Sequence, residues 1–170
     1  MQNYLTFYVL CCIIIIVRKV IILGFMEVNS MMTTKERLEA IKKAEPTFRK
    51  LFNETDAAYA ILQLPIEADY KFRGFEDMVK IAHKMPKRED YNLLYAAEID
   101  VTKLGPTTSS RDIADTIFAV FNMPDRPNDD DMYYGTSVSV SDVIVVKCGK
   151  IQFAFYVDTF GFERLVNFEV

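Results

Sequence analysis

The feature that most constrains the fold is a pair of strand-like runs near the C-terminus. TSVSVSDVIVV (136–146) passes from serine/valine alternation into an unbroken apolar stretch, and IQFAFYVDTFGF (151–162) returns after Lys147-Cys148-Gly149-Lys150. Two such runs joined by a short glycine-bearing turn make a β-hairpin, and period-two spacing puts Phe153, Phe155 and Val157 on one face. A hairpin alone is marginal in water, so the rest of the chain has to extend and cover it. Ser139 or Ser141, followed by Asp142, suits a tight turn or bulge at the strand entrance, with hydroxyl and carboxylate bonding nearby backbone amides. Asp158 and Thr159 end the returning strand, and Gly161 admits a backbone conformation that other residues resist. Phe160 and Phe162, on either side of that glycine, are expected to close the core.

Upstream, Thr33 to about Glu45 reads as a helix, with Leu38, Ile41 and Ala44 at helical spacing and Thr33 and Glu36 placed as a capping box. Pro46 either breaks it or starts a second short helix in which Phe48, Leu51 and Phe52 share a face. Residues 31–56 are thus a helical extension that packs on the following domain or reaches a partner. The domain itself, 57–170, opens with the strand AAYAILQL (57–64), which Pro65 ends. FEDMVKIAH (75–83) is an amphipathic helix with Phe75, Met78, Val79 and Ala82 on one stripe, and YNLLYAAEI (91–99) alternates as a second strand. Ser109 or Ser110 caps a second helix whose stripe is Ile113, Ile117, Phe118 and Phe121. NMPDRPNDDDMYYG (122–135) is loop by composition. Helices alternate with strands early and strands pair directly late, which gives an α+β class. The expected architecture is a small mixed sheet with a C-terminal hairpin, two packed helices and the N-terminal extension.

The first thirty residues pose a separate question. Tyr4–Val17 is almost wholly apolar, but Arg18 and Lys19 interrupt it before Val20–Phe25 resumes. Neither run alone reaches the ~20 residues of a spanning helix, and a charged pair in mid-span costs about 2.5–3.5 kcal/mol per residue. Met26-Glu27-Val28 can be encoded by a stretch containing a bacterial ribosome-binding sequence, with Asn29-Ser30 as spacer before Met31-Met32. Residues 1–30 are therefore expected to be a translated leader, the alternative being a genuine hydrophobic anchor through residues 4–25. Setting aside Arg18, Lys19 and Glu27 lowers the 20 basic and 24 acidic side chains to 18 and 23. Mild acidity of that kind suits a cytoplasmic protein and argues against a broad phosphate-binding surface. Cys148 is then the one cysteine left, which supports no disulfide or metal cluster.

The hairpin carries a resemblance. Ser-Val-Ser-Asp-Val-Ile-Val, a glycine turn and Tyr-Val-Asp-Thr-Phe-Gly-Phe together resemble the YodL-like domain, with a looser likeness through ILQL, FEDMVKIA and YNLLYAAEI, over about residues 57–165. Its signature positions here are Ser139, Ser141, Asp142, Tyr156, Asp158, Phe160, Gly161 and Phe162, read as preserving the shape of the hairpin. The resemblance implies an accessory protein of bacterial mobile elements, conjugative transposons and phages, acting on host defences or on transfer. It carries over no catalytic residue, metal or cofactor.

Three function classes remain. Catalysis is poorly served: His83 is the sole histidine, set among lysines, and no base accompanies the serines. Nucleic-acid binding has Lys71, Arg73, Lys80, Lys84, Lys87 and Arg88, interleaved with Tyr70, Phe72 and Tyr91, although a solvated helix face explains the same residues. Asp129–Asp131 read as a solvated acidic loop more readily than as a cation site. Binding of a host or mobile-element protein fits best, with Tyr133 and Tyr134 as contact residues because aromatics are enriched at interfaces.

Overall fold

The structure, a computed structural model, describes residues 33–81, 83–123 and 135–170. Ala82, Asp129–Asp131, Tyr133 and Tyr134 lie outside the described residues, as do residues 1–32. Eight elements follow in order: α1 (Thr34–Glu54), β1 (Ala57–Gln63), α2 (Phe75–Lys80), β2 (Asn92–Glu98), α3 (Ser110–Phe121), β3 (Val143–Cys148), β4 (Ile151–Val157) and β5 (Phe162–Leu165). Short 3₁₀ turns at Arg88–Asp90 and Val101–Lys103 flank β2.

The α+β class holds, but the sheet is antiparallel throughout, in the order β2-β1-β3-β4-β5, where a mixed sheet was expected. A helical crossover does exist. It joins β2 to β3, which run the same way but sit on opposite sides of β1 and never pair. The hairpin lies where its pattern put it, with Val143 opposite Tyr156 and Cys148 opposite Ile151. Its first strand starts at Val143, seven residues later than the apolar run suggests, because 136–142 is occupied by a turn. A fifth strand then follows that the sequence pattern does not announce.

Helix α1 begins with the expected capping box between Thr33 and Glu36 and runs unbroken past Pro46. Pro46 neither ends it nor starts another. An internal proline costs about 3 kcal/mol, and the cost is offset because Ile41 and Ala44 before it and Phe48 and Phe52 after it all enter the core. Phe48 meets the Tyr95 ring of β2, and Tyr95 also meets Phe121 of α3. The extension thus shares the core of the domain. At its C-terminus the Lys147 ammonium of β3 donates to the carbonyls of Phe52 (2.8 Å) and Asn53 (2.7 Å), so a buried cation meets the negative end of the helix.

Helix α3 is capped by Ser109, whose side chain and that of Asp112 bond each other's backbone N–H. It covers the sheet face that carries Tyr59, Phe155 and Phe162. Tyr156 alternates with Phe155 to the opposite face and meets Phe75 and Met78 of α2 there. That helix stops at Lys80, short of the expected His83, and His83 takes a left-handed φ of 50°.

Candidate functional site

Between β1 and α2 the chain makes a succession of turns over residues 65–74. This segment has almost no regular structure of its own, and four signature side chains from the far end of the sheet fasten it. Ser141 Oγ accepts the Phe72 N–H at 2.9 Å. Tyr156 donates its hydroxyl to the Arg73 carbonyl at 2.7 Å. Asp158 Oδ1 accepts the Phe75 N–H at 3.0 Å and so caps α2, whose own N-cap, Gly74, has no side chain to do it. The loop comes close enough here that a Cβ on Gly74 would sit 3.0 Å from that same oxygen.

The fourth tie is Asp142, which is fully buried. Its Oδ2 accepts from Gln63 Nε2 at 2.8 Å and from the Ser139 N–H at 2.8 Å, and its Oδ1 meets the Lys71 ammonium at 3.4 Å. One carboxylate therefore joins β1, the entrance turn of β3 and the loop. Burial pushes its pKa up to about 6, with Lys71, Ser139 and Gln63 pulling the other way. Burial likewise raises the phenols of Tyr91 and Tyr156, and takes that of Tyr70 up to about 12.

Two backbone conformations show how tightly the parts are held. Ser141 (φ 79°) and Phe72 (φ 65°) both occupy the left-handed region, and they are bonded to each other. A bulky residue stays there only where its surroundings fix it. Phe72 points its ring outward, 57% exposed. On the neighbouring turn, the Asp158 N–H donates to the Gly161 carbonyl at 3.0 Å and Asp158 Oδ1 accepts the Thr159 N–H at 2.7 Å. Gly161 supplies φ 80°. The result places Phe160 at the tip, 94% exposed, and buries Phe162. The expectation that both phenylalanines close the core is corrected: the tight turn sends Phe160 the other way.

The basic residues proposed for nucleic acid make separate contacts. Lys80 pairs with Glu76 on its own helix. Lys84 Nζ lies 4.7 Å from the Tyr70 ring centre, beside a shallow groove of about 250 Å³ lined by Asp69, Tyr70, Arg73, Ile81 and Lys84. Arg88 is half-buried and holds the Tyr91 carbonyl and Glu45 of α1, while Lys87 is exposed. Among the described residues no helix is long and apolar enough to cross a membrane, and no group of three or more His, Cys, Asp or Glu could hold a metal ion. Cys148 is free and exposed beside the hairpin turn.

The sequence reading placed Ser139, Ser141 and Asp142 at a turn but gave no sign of what they hold. Gln63 and the exposed face of Phe72 went unseen, since a glutamine inside an apolar strand has no periodic signature. The chain has no match among curated proteins and none among solved structures. The model of the YodL-like domain, however, matches residues 58–168. That span takes in the loop, all four side chains that fasten it and the hairpin they come from, and the chain belongs to the YodL-like domain family.

Proposed function

We propose that this domain works by binding a protein partner, not by catalysis, through two aromatic tips that the buried polar cluster holds on adjacent turns. The observation that carries the reading is Phe160, 94% exposed on a turn closed by its own hydrogen bond and a left-handed glycine. Covering a phenylalanine is worth about 1.5–3 kcal/mol, and a turn so fastened cannot fold the ring back to gain it. Phe72 stands on the neighbouring turn, presented by a strained backbone. Both rings stand exposed to solvent, so the partner supplies the concavity: a folded protein with an apolar pocket, in the manner of an aromatic anchor at an interface centre.

The signature polar groups support fastening over chemistry. The Ser141 hydroxyl, both oxygens of Asp142, the Tyr156 phenol and Asp158 Oδ1 are all engaged with other parts of the chain. The family's association with mobile elements supports a host or mobile-element protein as the partner, and an apolar pocket on a defence or transfer complex meets the requirement.

Capture by tagged protein starting at Met31, with and without nuclease, tests the reading. Phe160→Ala and Phe72→Ala should each weaken capture by about thirtyfold, the effect of losing ~2 kcal/mol at an anchor. The melting temperature of Phe160→Ala should stay put, since Phe160 supports nothing beneath it. Undiminished capture by both variants would refute the surface. Capture that nuclease abolishes, and that Lys84→Glu reduces, would assign the groove beside Tyr70 to nucleic acid instead.

A further inference from the structure

We infer that the Lys71–Asp142 contact is a pH-sensitive latch: ionised, it holds segment 65–73 against the sheet with Phe72 presented outward, and protonation of Asp142 loosens that segment. The geometry places Asp142 at 0% exposure with each of its contacts on a different part of the chain. Gln63 from β1 and the Ser139 N–H are neutral donors that hold Oδ2 whether or not the other oxygen carries a proton. Oδ1 faces Lys71, so the added proton falls on the one contact that leads to the loop.

The other titratable groups that sense Asp142 are Tyr91, next to β2, and Tyr156 of β4, both kept neutral by burial; Tyr70, from the loop, couples to those two phenols. Lys71 is the formal charge that answers the carboxylate. Its side chain is only 5% exposed, so a neutral partner leaves a buried ammonium with the Phe72 ring, 5.0 Å from its nitrogen, in place of a countercharge. Moving the ammonium to water relieves this. Phe72 is next in sequence, and its left-handed backbone is then held by the Ser141 hydroxyl bond and by the turn bond from the Arg73 N–H to the Tyr70 carbonyl. The ties at Arg73 and Phe75 do not pass through Asp142, so the segment loosens but stays attached. Burial sets the range, with Asp142 titrating at about pH 6.

This deepens the binding reading by giving it a regulation, and the test separates the two. Amide exchange at Phe72 and Lys71 is measured by NMR on the free protein at about pH 7.5 and about pH 5, corrected for intrinsic chemical rates, alongside the Asp142 carboxyl carbon shift. Protection at Phe72 should fall about tenfold or more with acidification, in step with the carboxyl titration. Lys71→Met should show the low protection at both pH values while the ties at Arg73 and Phe75 persist. Asp142→Asn should do the same if it folds, and Lys71→Met answers the question if it does not. Constant Phe72 protection through a complete Asp142 titration would overturn the latch, as would an Asp142 that stays ionised at pH 5. Neither result depends on the partner, whose capture by Phe72→Ala is assayed at the higher pH.

Discussion

At the scale of single residues, Asp142 links the fold to pH in a way that can be signed. Its folded pKa lies above the ordinary carboxylate value of 3.8, at about 6, because burial disfavours the charge more than its donors favour it. A raised folded pKa means that the native state holds the proton more tightly than the unfolded chain. The contribution to stability is therefore fully present below about pH 4 and is lost as pH rises through about 6, by roughly 2–3 kcal/mol in all. Denaturant midpoints across that range should fall in the wild type relative to Asp142→Asn. The local effect runs the other way, since the latch loosens where the global fold gains, and a loop can open without the core following. Ser141 gives a simpler expectation. Ser141→Ala keeps the left-handed backbone and orphans the Phe72 N–H, so it should cost about 1–3 kcal/mol by denaturant unfolding.

At the scale of elements, the sequence was most readable where burial follows a period and least readable where one particular hydrogen bond decides. The capping boxes of α1 and α3, the strands β1 and β2 and the hairpin all follow from local spacing. The start of β3 does not, because Asp142 folds back on the Ser139 N–H and turns the serine/valine alternation into a loop entrance. Phe160 and Phe162 are the same residue type, and the turn closed by Asp158 and Gly161 sends one out and the other in. The cap of α2 likewise comes from Asp158, a residue eighty-three positions away, which no local pattern could announce. Lys147 is the strongest example, since a lysine in an apolar strand reads as an exposed residue. Its ammonium instead joins β3 to the end of α1 through two carbonyls. Lys147→Met keeps the buried stem and removes those charge-assisted bonds, at an expected cost of about 1.5–3 kcal/mol. Hydrogen exchange should show the loss concentrated in the last turn of α1, and a uniform loss would mean that the contact is not local to that helix end.

At the scale of the whole molecule, the family match and the folding unit do not have the same boundary. The match begins at residue 58, yet Phe48 and Phe52 of α1 lie in one continuous core with Tyr95, Phe121 and the strands of the sheet. Phe52 is wholly buried, and its carbonyl is one of the two that hold Lys147. Helix α1 is therefore a wall of the domain, and a piece that starts at Asp56 would expose the aromatic flank of β2 and leave Lys147 buried without its acceptors. Phe52→Ala should cost about 3–5 kcal/mol, the range for emptying a large buried site. Removing residues 1–55 should do more: the remaining chain should lose the sharp cooperative melt and bind a hydrophobic dye, as a compact chain without fixed packing does. The intermediate case separates packing from chain length. A chain starting at Met31 should melt as sharply as the full sequence, because α1 and its Thr33 cap are intact. A cooperative transition in the piece that starts at Asp56 would show instead that the sheet and α3 suffice, and that α1 is an addition to a domain already complete.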